Sequence, residues 1–260
     1  MSGPKVSLSM LYCLGEPFAK MVKRLPEVGT KYIEIVDDGW HILNKKRVAT
    51  LKDAGASANV EYTVHAPFAD INIASPSAAM LKASIKRLTQ SINCAAALEA
   101  KTWVLHPGMK TGIGNFYPDA DWKQNLSSIK QLIKIADNQG LTVAIENLPG
   151  KYWFLMSTPE EFLRMYKEGD LNVGVVFDIA HANLEKQVEP FLKEIPEKII
   201  HIHVSDNFGE TDNHFGIGYG SIDYPGFAKA LKQIGYRGNL VIESGDHITE
   251  SIGTLKRLFA

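Results

Sequence analysis

Histidine, aspartate and glutamate residues stand at the ends of several short apolar runs in the sequence. Val104 and His106 are two residues apart, as are Ala144 and Glu146, so each pair would share one face of an extended strand. If parallel strands carry these pairs, the apolar member fills the interior and the polar member lies at the carboxyl end. Acids and imidazoles gathered in one cavity would repel one another or lose solvation unless a cation were bound among them. The spacing therefore predicts a divalent-metal site.

The possible ligands spread over seven of eight such runs. Asp212 and His214 add to them from the glycine-rich stretch DNHFGIGYGSID, where a spacing of two would let both side chains reach one ion. Mixed imidazole and carboxylate ligation suits Zn, Mn, Fe or Co better than Mg or Ca, and we expect Zn or Mn, in one to three ions. One of the candidates, Asp206, could cap its own loop and not bind metal. The candidates on the runs are Glu34, His65, His106, Glu146, Asp178 with His181 just beyond it, His203 with Asp206, and Glu243.

A second set of residues is predicted to contact a substrate. Glu34 is expected to contact the substrate or to form a hydrogen bond with a residue that binds the metal. Lys110 follows a strand end and could meet a phosphate or carboxylate, although a solvated loop lysine is the alternative. Phe68, Trp153 and Phe154 are candidates for an aromatic wall or lid, and loop packing is equally compatible with their positions.

The other histidines are predicted to be structural. His201 precedes His203 by two residues and would lie one layer deeper on the same face, as a buried histidine that supports the ligands. His41 and His247 follow turn residues, so we expect both at the surface.

Eight apolar, β-branched runs alternate with segments of helical spacing. Helices are predicted over 76–98, 121–138, 158–168 and 224–234, and the third begins with the cap sequence Thr158 and Pro159. This alternation favours a single (β/α)8 TIM barrel, one domain over residues 1–260. An open doubly wound sheet would usually carry a glycine-rich loop after its first strand, and LYCLGEPF is not one. The runs begin at Lys5, Tyr32, Val60, Thr102, Leu141, Val173, Lys198 and Asn239.

The amino-acid composition of the chain indicates which class of molecule it can bind. The 28 basic residues nearly balance 29 acidic ones, and the net charge of −1 disfavours nucleic acid. The longest basic run, 45–47, is expected to be a solvated helix face. Neither a signal peptide nor a membrane-spanning run is recognisable, and two isolated cysteines indicate reduced thiols. We expect a cytoplasmic enzyme without a membrane partner, as a monomer or homodimer, acting on a small molecule.

The motifs VHAPF, VLHPG, AIENLP, FDIAHA, HIHVSDN and VIESG together resemble the xylose isomerase-like barrel superfamily. The resemblance to its sugar isomerases and epimerases implies one ion held by Glu146, Asp178, His203 and Glu243. It also implies that Glu146 and Glu243 move protons on the two faces of a small sugar, sugar phosphate or related polyol. His181, with His106, would then contact substrate hydroxyls or polarise the carbonyl.

The same superfamily contains nucleases of the endonuclease IV type, and the resemblance to these implies three zinc ions. His65 and His106 would bind one ion, with Glu146 bridging to a second at Asp178, His203 and Glu243. His181, Asp212 and His214 would bind the third. The chain departs from that pattern at Ala69 and Asp70, where apolar side chains that enter DNA would lie, and an acid there would repel phosphate. We therefore expect a metal-dependent isomerase or epimerase, with a phosphodiesterase of the endonuclease IV type as the alternative.

Overall fold

A computed structural model describes residues 3–260 and shows one closed barrel of eight parallel strands in the order β1 to β8. This confirms the predicted (β/α)8 architecture. The strands are β1 (Lys5–Ser9), β2 (Tyr32–Val36), β3 (Glu61–His65), β4 (Thr102–Leu105), β5 (Thr142–Glu146), β6 (Gly174–Asp178), β7 (Ile199–Val204) and β8 (Asn239–Ile242).

Helices surround the barrel and connect its strands. The four predicted helices are present with ends within two residues of the expected ones. The side chain of Thr158 accepts a hydrogen bond from the N–H of Glu161, as the cap sequence predicts. The helices are α1 (Phe18–Arg24), α2 (Lys45–Ala58), α3 (Ala78–Ala97), α4 (Ala120–Asp137), α5 (Pro159–Gly169), α6 (Ile179–Leu184), α7 (Val188–Glu194), α8 (Tyr224–Gln233) and α9 (Ile248–Phe259).

The core has an outer and an inner part. The outer part lies between the strands and the helices, and Trp103, Phe162 and Phe177 are among its largest fully buried side chains. The inner part, inside the barrel, is a separate small cluster of Val104, Ala144 and Val176. These three precede His106, Glu146 and Asp178 by two residues, so the alternation inferred from sequence places an apolar layer beneath the polar one.

Three surface predictions have different outcomes. Lys45 and Lys46 are exposed at the start of α2, as expected. His41, however, is fully buried, so its prediction as a surface histidine was wrong. Its ring packs edge-on against Phe18, and Nε2 donates to the carbonyl of Glu16 at 2.9 Å. His247 is exposed and stacks on Tyr219. Within residues 3–260, no helix has the length and apolar character needed to cross a bilayer.

Candidate metal centre

A cavity of about 520 Å³ opens at the carboxyl ends of the strands. His65 ends β3 and Glu146 ends β5, and both side chains reach the cavity from below. One wall carries imidazoles and carboxylates, and the remainder is mostly apolar. The polar lining residues are His65, His106, Glu146, His181, Asp212, His214 and Glu243, and the others include Leu11, Tyr12, Phe68, Leu148, Tyr152 and Phe154.

The central donor set consists of Glu146, Asp178, His203 and Glu243, each offering one ligand atom within 4.8 Å of the others. His203 Nδ1 lies 3.1 Å from Glu146 Oε1, 3.3 Å from Glu243 Oε2 and 4.0 Å from Asp178 Oδ2. All four side chains are almost completely buried. The structure therefore brings together the four residues that the resemblance implies as ligands of one ion.

The place of Asp178 in the site is determined by the strand register and by a helix cap. The pairing of β6 with β7 shifts between Val175 and Val176, and after this irregularity Asp178 lies beside His203. The chain then turns into α6, because Asp178 Oδ1 accepts the N–H of His181 at 2.8 Å and caps the helix. The sequence places Asp178 at the end of the sixth run with His181 just beyond it, and the cap explains why the strand stops at Asp178.

The hydrogen bonding of the buried oxygens in the central donor set indicates whether a cation fits there. Asp178 Oδ2 and Glu243 Oε1 are buried and have no hydrogen-bond partner among the residues described. Buried carboxylate oxygens without a partner are costly, and a divalent cation compensates several at once. One imidazole and three carboxylates are donors that Zn and Mn accept. The residues present therefore fit a bound divalent ion.

Two further donor groups flank the central one. Glu146 Oε2 lies 3.2 Å from His106 Nε2 and 3.4 Å from His65 Nε2. On the other side, Asp212 Oδ2 lies 3.2 Å from both His181 Nε2 and His214 Nε2. Each group could hold an ion, and Glu146 belongs to two of them.

Backbone carbonyls orient three of the flanking imidazoles. The Nδ1 atoms of His65, His181 and His214 lie 2.8 to 2.9 Å from the carbonyl oxygens of Ala66, Asn147 and Glu243, respectively. A proton on each Nδ1 donates to that carbonyl, so Nε2 faces the acids and becomes available to a cation once it has lost its own proton. Outer contacts of this kind fix the tautomer of histidines that bind metals.

The buried acids and imidazoles of the site shift one another's pKa values. Burial opposes protonation of His203, but Glu243, Glu146 and Glu34 raise its pKa well above the usual value. Against burial, Asp178 and Asp212 raise the pKa of His181 to about 10. Burial raises the pKa of Glu243. These imidazoles bind protons firmly at neutral pH, so a cation must displace protons to bind.

The predicted substrate contacts are divided between two places. Phe68 lines the cavity and its ring stacks on His106, with centroids 5.6 Å apart, and Phe154 also lines it. Lys110 and Trp153 lie instead in a neighbouring cleft, where the N–H of Lys110 donates to the carbonyl of Trp153. Glu34 does not line the cavity. It is fully buried beneath the central donor set.

Two residues outside the donor groups have structural roles. His201 is fully buried, as predicted, and contacts Glu34. Asp206 caps its own loop, because its side chain accepts the N–H groups of Asn207, Gly218 and Ile222. The apolar wall from Leu11, Tyr12, Leu148 and Tyr152 was missed, since nothing in these residue types signals chemistry.

Comparison with known proteins relates this geometry to a family. Residues 22–258 match the family model described as xylose isomerase-like TIM barrel. A crystal structure described as a D-tagatose 3-epimerase-like protein is 31% identical with a TM-score of 0.89, covering 98% of this chain and 96% of that one. The D-psicose 3-epimerase of Ruminiclostridium cellulolyticum is 22% identical over 245 residues, 90% of this chain and 80% of the relative. A probable endonuclease 4 of Bacillus subtilis is 28% identical over 181 residues, 63% of this chain and 59% of the relative.

Proposed function

Because the chain belongs to the xylose isomerase-like TIM barrel family, we propose that it is a divalent-metal-dependent isomerase or epimerase of a small sugar or related polyol. The observation that carries the proposal is the pair Glu146 and Glu243. Both line one cavity, and both belong to the donor set around His203. The similarity to epimerases extends over almost the whole chain, whereas the similarity to a nuclease covers less than two thirds.

Two carboxylates act on opposite faces of one carbon, and before the reaction one of them is ionised and the other is protonated. One of Glu146 and Glu243 removes the proton from the carbon next to the substrate carbonyl, and the bonding electrons move into an enediolate. The other returns a proton to the opposite face, which inverts that carbon. A divalent cation held by the central donor set would polarise the carbonyl and the neighbouring hydroxyl. His181 and His106 contact hydroxyls from the cavity wall.

The cavity favours an uncharged substrate. No lysine or arginine of the described chain lines it, and Lys110 lies in the neighbouring cleft. A phosphate or carboxylate on the substrate would have no cationic side chain as partner. Phe68 and Phe154 offer flat apolar surfaces to the C–H face of a sugar. We therefore propose an unphosphorylated ketose or polyol derivative as the substrate class.

The proposal is tested by incubating the Mn- or Zn-loaded protein with free ketoses and their phosphorylated counterparts and following products by NMR. We expect conversion of at least one free ketose, and loss of conversion in Glu146→Gln and Glu243→Gln. Glu160→Gln, an exposed acid at the start of α5, is the matched control and should retain activity. If the loaded protein converts none of the ketoses, the proposal is wrong.

A second function is supported by the three donor groups. The nine residues that the endonuclease IV-type pattern requires all come together, and three ions could bind a phosphodiester and activate water. Exposed Asp70, on the loop after His65, and the net charge of −1 oppose binding to DNA. Cleavage of duplex DNA with an abasic site, absent in Glu146→Gln, would establish this function in place of the first.

A further inference from the structure

Glu34 is a fully buried acid inside the barrel, beneath the central donor set. It lies on β2, and residues of the adjacent strand β3 and of β7, on the other side of the barrel, contact its carboxylate. Oε2 accepts from Thr63 Oγ1 at 3.0 Å and lies 2.9 Å from His201 Nε2. Oε1 lies 3.0 Å from His203 Nε2. A buried carboxylate is costly, so three contacts of this kind indicate a specific role.

The contact with His203 determines which of its nitrogens can bind a cation. Nδ1 faces Glu146 and Glu243, and Nε2 faces Glu34. A neutral imidazole has a lone pair on one nitrogen and a proton on the other. A carboxylate beside Nε2 favours the proton there, which leaves the Nδ1 lone pair directed into the central set.

We propose that Glu34 is a positioning residue that fixes the tautomer and ring orientation of His203 and so sets the affinity of the central site for a divalent cation. The proposal rests on the metal site of the proposed function and is independent of which reaction the site performs. Glu34, His201 and His203 could also be viewed as a further ligand group. However, His203 can bind through Nδ1 only when Nε2 keeps its proton, and that proton occupies the side of Glu34.

The surroundings of Glu34 hold its carboxylate in place. Oε1 lies 3.0 Å from His203 Nε2, and Oε2 lies 2.9 Å from His201 Nε2. Thr63 donates a further hydrogen bond to the same group. Because Glu34 does not line the cavity, it acts through His203 and does not touch a substrate.

The test compares Glu34→Leu and Glu34→Gln with a control just beyond the end of the same strand. Asp37 directly follows β2 and is also a fully buried acid, but it pairs with Arg87 at 2.6 Å and is absent from every donor group of the described residues. Zn and Mn affinities are measured by competition with a chromophoric chelator. The tautomer of His203 is read from ¹⁵N NMR of the imidazole in the Zn-loaded protein.

Loss of an outer carboxylate typically weakens metal binding roughly 10- to 100-fold, and we expect this for Glu34→Leu. Glu34→Gln retains an oxygen acceptor and should recover part of the affinity. Asp37→Asn should lose stability but keep Zn affinity within about twofold, since outer-shell effects are confined to ligands and their partners. If Glu34→Leu does not fold, Glu34→Gln alone decides. Unchanged affinity with an unchanged Nε2–H signal in the folded variant, or a parent protein that binds no divalent ion, overturns the proposal.

Discussion

Asp178→Asn separates the metal-binding role of Asp178 from its role in the fold. An asparagine can still accept the N–H of His181 through its amide oxygen, so the cap of α6 is kept. The buried Oδ2 becomes an NH2 group, and the central set loses one negative charge and one ligand. The variant should therefore fold normally and bind the cation poorly.

The size of the effect follows from the length of the chain. An unfolding entropy of about 2.1 cal/mol/K per residue over 260 residues gives about 0.55 kcal/mol/K. A cation at 100 times its Kd contributes about 2.7 kcal/mol, which raises the parent melting temperature by about 5 °C. If the lost ligand weakens binding about 100-fold, the same cation concentration contributes about 0.4 kcal/mol, or less than 1 °C.

Thermal melts with and without added Zn or Mn measure this directly. Asp223→Asn is the matched control, because Asp223 caps α8 by accepting the N–H of Gly226 and is absent from the donor groups of the described residues. That variant should keep the full rise of about 5 °C. A metal-induced rise of the same size in Asp178→Asn would refute the assignment of Asp178 as a ligand.

Two further outcomes are expected. After chelation of metal, the melting temperature should fall between pH 7 and pH 10. The pKa of His181 is about 10 in the folded chain and about 6.5 when unfolded, so its stabilisation is complete below pH 6.5 and is lost towards pH 10. Melts in chelator over this range check the direction, and a rise with pH would contradict it. Phe154→Ala should raise KM for the sugar roughly 3- to 10-fold, while Trp153→Ala, in the neighbouring cleft, should leave KM within about twofold. Equal KM increases in steady-state assays would refute this division.

The sequence predicted the barrel and the grouping of the polar residues because both depend on alternation along strands. An apolar residue two positions before His106, Glu146 or Asp178 is enough to indicate which side chains point inward. Parallel strands then end at one mouth, so residues far apart in the chain meet there. The three donor groups follow from this rule together with the loop that carries Asp212 and His214.

The alternation along strands does not predict how the loops fold or how deeply a side chain lies inside the barrel. Lys110 and Trp153 follow strand ends, but the loops turn both side chains into a neighbouring cleft. His41 follows a turn residue and is nevertheless buried against Phe18. The depth of Glu34 below the ligands depends on how β2 is staggered against β3, which the composition of the strands does not reveal.

Solvent exchange tests the central claim most directly. The metal-loaded protein is incubated with a convertible ketose in D2O, and deuterium at the carbon next to the carbonyl is followed by NMR. Proton transfer by Glu146 and Glu243 predicts that deuterium enters at this carbon with metal present, and that chelation or Glu243→Gln abolishes the incorporation. Conversion of the ketose by a folded, metal-loaded protein without any deuterium at that carbon would contradict the account.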